Sequence, residues 1–219
     1  EPGVYILHSL VREFLQMKLK EYPRADELKR GICQVVAEAA RNIPDNITVE
    51  QVKEVEVDIP HITEVAAVLT EYLSDDDLIS PFNGLGRFYL GQALYSQAQL
   101  WLETGKEIAE KRLDKDNADI ATIYNSLANL YRSQGKYEAA EPLYLQALEI
   151  DKIALPENHP SIATGLNNLA ELYRSQGKYE AAEPLYLQAL KILKQSLGEE
   201  HPNTQTVQKN YQNFLNEKK

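Results

Sequence analysis

LYRSQGKYEAAEPLYLQAL, residues Leu130–Leu148, returns unchanged as Leu172–Leu190, 42 residues later. A fixed period of this length predicts a stacked repeat array. Within each copy, apolar and small residues recur every three or four positions, which is the spacing of a helix face. One copy therefore reads as two helices, neither of which can bury its apolar face without its neighbours. The fold class expected is all-α, a solenoid of antiparallel helix pairs. Arrays of this kind work by holding another chain rather than by chemistry.

Set in register, Ile120–Ile150 and Ile162–Ile192 differ at five positions. A further 42 residues back lies a decayed copy, Leu78–Glu107. There Phe82, Leu85, Gly86, Tyr89, Tyr95 and Ala98 take the places of Tyr124, Leu127, Ala128, Tyr131, Tyr137 and Ala140, and Leu102 takes that of Tyr144. Small residues mark the crossing point of each first helix (Gly86, Ala128, Ala170) and each second helix (Ala98, Ala140, Ala182). Gly135 and Gly177 fall in the turn between helices, where a residue without Cβ can take positive φ. Pro142 and Pro184 fall inside second helices, where a modest kink is expected. After Pro202 a last helix carries Gln212 at the crossing position. Its polar Gln208, Lys209, Asn213 and Asn216 and its inward Val207, Tyr211, Phe214 and Leu215 predict a terminal cap.

NSLANLYRSQGKYEAAEPLYLQAL and NNLAELYRSQGKYEAAEPLYLQAL, each followed by an L-x-x-x-H-P loop (Leu155–Pro160 and Leu197–Pro202), resemble the tetratricopeptide repeat. The form is the long one found in kinesin light chains and many bacterial proteins. That resemblance implies a right-handed superhelix whose first helices line a concave groove. Carried over position by position, one groove column reads Asn83, Asn125, Asn167, Lys209. The next reads Arg87, Asn129, Glu171, Asn213, and a third reads Leu90, Arg132, Arg174, Asn216. Asparagine amides both donate to and accept from a peptide backbone, so this ladder suits an extended segment. Arg132 and Arg174 could fork onto its carboxylates. Kinesin light chains hold acidic peptides in this groove, which implies a protein or peptide partner with acidic character.

The first 77 residues read as a separate helical segment. Val4–Lys20 and Asp26–Asn42 each carry an apolar stripe, and a shorter helix is expected over Thr48–Val55. Pro60 suits the first turn of another helix, and Ser74 before Asp75–Asp77 reads as an N-cap. HSLVREFLQMKL (His8–Leu19) resembles the end of a winged-helix element that follows an NB-ARC nucleotide-binding domain. IPHITEVAAVLTEYLSDDDL (Ile59–Leu78) resembles the linker into repeats in bacterial proteins of that kind. The resemblance implies the recognition half of a signalling ATPase, with a nucleotide-binding domain ahead of this chain. No phosphate-cradling GxxxxGK[ST] loop occurs in the sequence.

The net charge is −10. Residues 1–77 contribute −8 (8 basic, 16 acidic) and residues 78–219 contribute −2 (15 basic, 17 acidic). Neither part offers the basic stripe that phosphate-backbone binding needs, so no nucleic-acid partner is expected. No apolar run is long enough to span a bilayer, and no membrane partner is expected. Cys33, the sole cysteine, fits a reducing cytoplasm and reads as a small buried apolar side chain. His159 and His201 recur at one loop position without cysteine or carboxylate ligands beside them, so each is expected to shape a helix start rather than hold a metal. No nucleophile–base arrangement stands out, and neither enzyme activity nor a cofactor is expected.

The organisation expected is thus a helical segment over 1–77 and an array over 78–219. The array's units run about 78–119, 120–161 and 162–202, with a cap over 203–217. The function expected is a protein-interaction module that receives a partner segment in its groove, as part of a larger signalling protein. The alternative is a structural module that pairs with a second copy.

Overall fold

A computed structural model describes residues 23–45 and 47–218. They form ten α-helices in chain order: α1 (Ala25–Arg41), α2 (Val49–Val55), α3 (Ile59–Val68), α4 (Ser80–Gly91), α5 (Tyr95–Arg112), α6 (Ala118–Ser133), α7 (Tyr137–Ala154), α8 (Pro160–Ser175), α9 (Tyr179–Ser196) and α10 (Pro202–Glu217). No strand occurs among the described residues. The helix expected over Val4–Lys20 lies outside them.

The repeat units are α4/α5, α6/α7 and α8/α9, each an antiparallel pair that packs in turn against the next first helix. The crossing points are as tight as the small residues require. A Cβ on Gly86 would stand 2.5 Å from Cδ2 of buried Leu102, and one on Gly105 would stand 2.6 Å from Cβ of Phe82. Ala98, Ala128, Ala140, Ala170 and Ala182 are fully buried. Trp101 packs against the first core cluster with Leu143, as its place in the register implies.

The turn between paired helices is the same Schellman motif three times over. Lys136 N–H reaches the Tyr131 carbonyl and Lys178 N–H the Tyr173 carbonyl, both at 2.9 Å, and Leu94 N–H reaches Tyr89 in the same way. Gly135 and Gly177 take φ of 73° and 71° there. Their counterpart in the first unit is Ala93 at φ 57°, the one non-glycine residue with positive φ among those described. An alanine in this region costs about 1 kcal/mol relative to glycine. Ala93→Gly should therefore stabilise the first unit by about 1 kcal/mol, read as a raised denaturant midpoint with unchanged slope.

Helix starts follow a second shared device. Asn117 Oδ1 accepts from Asp119 N–H at 2.8 Å, and at the same register Nδ1 of His159 and His201 accepts from Ser161 and Asn203 N–H, each at 3.2 Å. The histidines are N-caps, and they accept from amides. The prolines at 142 and 184 sit within continuous helices α7 and α9.

Ahead of the repeats, α1 and α3 pack on α4. Thr48 starts α2 with a capping box to Gln51. Ser74 departs from expectation: it makes no backbone cap, and its Oγ donates to Asp77 Oδ2 at 2.7 Å. Asp75–Asp77 form a short 3-10 turn rather than the first turn of α4. Their carboxylates tie elements together, Asp77 to Arg41 on α1 and Asp75 to Arg112 on α5. Cys33 is buried at 1% exposure, and that burial pushes its thiol pKa up, which suits a packing role.

At the far end, α10 closes the array. Phe214 is fully buried and lies 5.3 Å from the Tyr186 ring and 5.8 Å from the Tyr179 ring, with Tyr211 stacked on it. Gln208, Lys209, Gln212, Asn213 and Asn216 face solvent. No helix among the described residues is long and apolar enough to cross a membrane.

Candidate functional site

The ten candidate groove residues all lie on the first helices, as their spacing requires: Asn83 and Arg87 on α4, Asn125, Asn129 and Arg132 on α6, Asn167, Glu171 and Arg174 on α8, Lys209 and Asn213 on α10. Their environments differ sharply along the array.

At the first unit the face is covered by α1. The backbone carbonyl of Ala40 lies where a side chain at position 84 would go, 2.9 Å from the Cβ that Gly84 lacks. The Arg87 guanidinium donates to the Ala40 carbonyl at 3.0 Å and to Asp45 at 3.2 Å, closing the last turn of α1. Arg87 is thus a fastener for the preceding segment. Asn83 beside it is buried at 5% exposure, and its Oδ1 has no partner among the described residues.

At the second unit the face opens. Asn125 is half-buried, and its Oδ1 is also without a partner. Its register mate Asn167 is buried and accepts from Asn210 Nδ2 of the cap at 3.1 Å. The expected asparagine ladder therefore divides into two rungs whose oxygens are unengaged, Asn83 buried under α1 and Asn125 on the open face, and one that joins α8 to α10, Asn167.

The second column interlocks each unit internally. Tyr144 on α7 is fully buried and donates to Asn129 Oδ1 at 2.6 Å; burial pushes its hydroxyl pKa up to about 12. Tyr186 on α9 does the same to Glu171, and burial followed by that bond raises its pKa further still. The glutamate also pairs with Arg174 at 2.8 Å and stands 3.9 Å from Arg132. Arg174 reaches Glu217 of α10 at 2.8 Å with its other nitrogen. Lys209 and Asn213 are exposed.

Two partners in this network, Tyr144 and Tyr186, belong to the second helices and were not among the sequence-derived candidates. A signal for them exists: the register pairs Tyr144 with acceptor Asn129 and Tyr186 with acceptor Glu171, whereas it pairs Leu102 with Arg87, which accepts nothing. Acceptor and hydroxyl come and go together. A third recurring set joins successive units. Tyr131, Tyr173 and Tyr211 donate to Glu103, Glu141 and Glu183 of the preceding second helix at 3.0, 3.0 and 3.4 Å. Lys178 and Lys218 add charge pairs to Glu141 and Glu183.

Among the described residues no group of three or more His, Cys, Asp or Glu side chains is arranged to hold a metal ion. One acid does stand apart. Asp151 on α7 is 3% exposed, and burial pushes its carboxyl pKa up to about 6. It occupies the register of Ala109 and Leu193, both buried.

The helix pairs, their shared turn and their 42-residue register match a known profile. Tetratricopeptide-repeat profiles cover residues 77–153 and 162–203. The chain belongs to the tetratricopeptide-repeat family. Solved structures share its fold. One is a protein of Podosopora anserina assigned as a kinesin light chain with nearly identical TPR-like repeats. Two of its crystal structures, the first of a single-substitution variant, are each 22% identical to this chain, with TM-scores of 0.62 (89% of this chain, 88% of that one) and 0.61 (87% of each). Another is BtubC (BKLC) from P. vanneervenii, 23% identical with a TM-score of 0.59 (87% of this chain, 86% of that one). At this identity the likeness concerns the fold. No curated protein matches the chain. The repeat profiles do not reach the first 76 residues, and the stretch His8–Leu19 that resembles a winged-helix end lies outside the described residues. The NB-ARC resemblance is therefore not supported by either. Family and fold together support a protein–protein interaction module.

Proposed function

We propose that the array receives an extended segment of a partner protein on the face formed by α6, α8 and α10, with α1 closing the face at α4. The observation that carries this reading is Asn125. Its carboxamide oxygen is shielded from water, has no partner among the described residues, and sits mid-helix on a half-buried face. An unmet acceptor in such a place costs about 1–3 kcal/mol, a penalty that a partner's backbone N–H would remove once the carboxamide swings its oxygen out to the open face. Asparagine is also a poorer helix former than Gln, Glu or Lys, so its recurrence at 83, 125 and 167 is not explained by helix formation. The polar, amide-rich face suits main-chain recognition with modest demands on side-chain identity.

The two central asparagines should separate. Peptides of twelve residues selected from a random display library on the wild-type array should lose about tenfold affinity on Asn125→Ala, as expected for one lost hydrogen bond, while melting of the free array is not lowered, since the change also removes an unmet acceptor. Asn167→Ala should instead destabilise the array by about 1 kcal/mol through loss of the bond to Asn210. Gln146→Ala, exposed on α7, serves as the control and should change neither. Equal binding of the selected peptides to wild type and Asn125→Ala would contradict the reading. A place for the chain as the recognition part of a larger signalling protein is part of this proposal and rests only on the sequence resemblance of its first 77 residues, which neither the repeat profiles nor the described structure supports.

A further inference from the structure

Glu171 and Asn129 are the same position in two nearly identical units, and both accept a hydrogen bond from the buried tyrosine of their own second helix. A neutral amide meets that tyrosine's requirement in one unit, so the tyrosine does not call for a carboxylate in the other. What the carboxylate adds is charge. It is 2.8 Å from Arg174 and 3.9 Å from Arg132, its side chain is 11% exposed, and the tyrosine bond keeps it from swinging away. Arg174 carries a second carboxylate, Glu217, at 2.8 Å. Arg132 donates no hydrogen bond to a carboxylate among the described residues; its one ion pair is the longer one to Glu171, 3.9 Å, and Asn129 in its own unit is neutral.

From this difference we infer that Glu171 is a built-in counter-charge, so that the groove takes a partner's negative charge beside Arg132 and rejects it beside Arg174. The inference rests on the groove reading above and names the ligand's charge pattern. An incoming carboxylate at Arg174 must approach two carboxylates already paired with that guanidinium, of which Glu171, 11% exposed, is the one whose repulsion water screens least. At Arg132 it meets a guanidinium with donors to offer. The partner segment is therefore neutral or basic where it crosses α8 and carries at most one acidic group where it crosses α6. An evenly acidic segment is disfavoured, which sharpens the general expectation of an acidic partner into a position.

The inference can be tested without knowing the partner, using inorganic phosphate as the anion. The side-chain Nε–H signals of Arg132 and Arg174, assigned with Arg132→Lys and Arg174→Lys, are followed by NMR as phosphate is added to the full chain. Exposed Arg30 on α1 gives the baseline for general ionic effects. In the wild-type chain the Arg132 signal should move above that baseline while the Arg174 signal follows it. In Glu171→Asn, which copies the second unit, Arg174 should respond with a half-saturation at least about tenfold lower than in wild type. The tyrosine bond should persist in its neutral form, seen as a melting curve that stays cooperative and is only modestly lowered, as expected when a charged acceptor becomes a neutral one. Arg174 responding in wild type at the same concentration as Arg132 would overturn the inference, as would no gain in Glu171→Asn. Should Glu171→Asn fold poorly, Glu171→Gln provides the same loss of charge at equal length. Loss of peptide binding in Asn125→Ala reports on the groove reading by itself and does not depend on this titration.

Discussion

Replacing Tyr186 by alanine should cost the array about 4 kcal/mol, the largest loss expected from any single change in the repeats. The ring is fully buried between α8, α9 and α10, 5.3 Å from Phe214 and 5.8 Å from Tyr211. Its removal leaves a cavity under the cap and strips Glu171 of its hydroxyl donor. Because each unit is held only by its neighbours, the damage should begin at the C-terminal end. Hydrogen exchange should show α10 amides losing protection before those of α6. Phenylalanine separates the two contributions. Tyr186→Phe keeps the packing and loses a bond to a charged acceptor, about 2 kcal/mol. Tyr144→Phe loses a bond to a neutral amide, about 1 kcal/mol. Denaturant midpoints that reverse this order would contradict the assignment of Glu171 as the charged member of the network.

The opposite sign is expected at Asp151. Its carboxyl pKa is raised by burial from 3.8 to about 6 in the folded chain. The protonated form is the one the fold accommodates, so this group's contribution is most favourable below pH 4 and is lost as pH rises through 6. Above that the penalty is about 3 kcal/mol, since each unit of displacement corresponds to about 1.4 kcal/mol. Asp151→Leu, which places the residue of position 193 at its equivalent, should therefore raise stability by about 3 kcal/mol at pH 7.5. The gain from removing the charge should vanish between pH 6 and 4, leaving only the packing difference of leucine. Asp151→Asn tests the charge alone and should show the same pH dependence with a smaller plateau. A stability difference for Asp151→Asn that does not change between pH 4 and 7.5 would contradict the account.

The fold was legible because an exact repeat exposes its own register. Once Leu130–Leu148 is laid on Leu172–Leu190, the crossing residues, the Gly135 and Gly177 turns and the cap all fall into place, and the helices follow within a residue or two. Position on the first helices was equally legible for all ten candidate residues. What the register could not reveal is which of them is already engaged. Arg87 and Arg132 belong to neighbouring columns of the same face, yet Arg87 is bound to the end of α1, an element with no counterpart in the repeat. Asn125 and Asn167 share one column and the register places an asparagine opposite each, Asn168 and Asn210, yet only the Asn167–Asn210 bond is made. The Arg87 difference arises from the end of the array, where periodicity stops; the asparagine difference does not, and nothing in the register distinguishes the two pairs. Ala93 and Asp151 show the complementary point. Each breaks its own column, a non-glycine among turn glycines and an acid among apolar residues, and each was there to be read.

The central claim is that the first helices α6, α8 and α10 form the binding face. Amide NMR of the full chain, titrated with a library-selected peptide, tests it most directly. The account predicts that the Asn125 side-chain amide and the signals of α6, α8 and α10 shift together, with α1 bounding the affected region at α4. Shifts concentrated on α5, α7 and α9, with the Asn125 carboxamide unmoved, would contradict it.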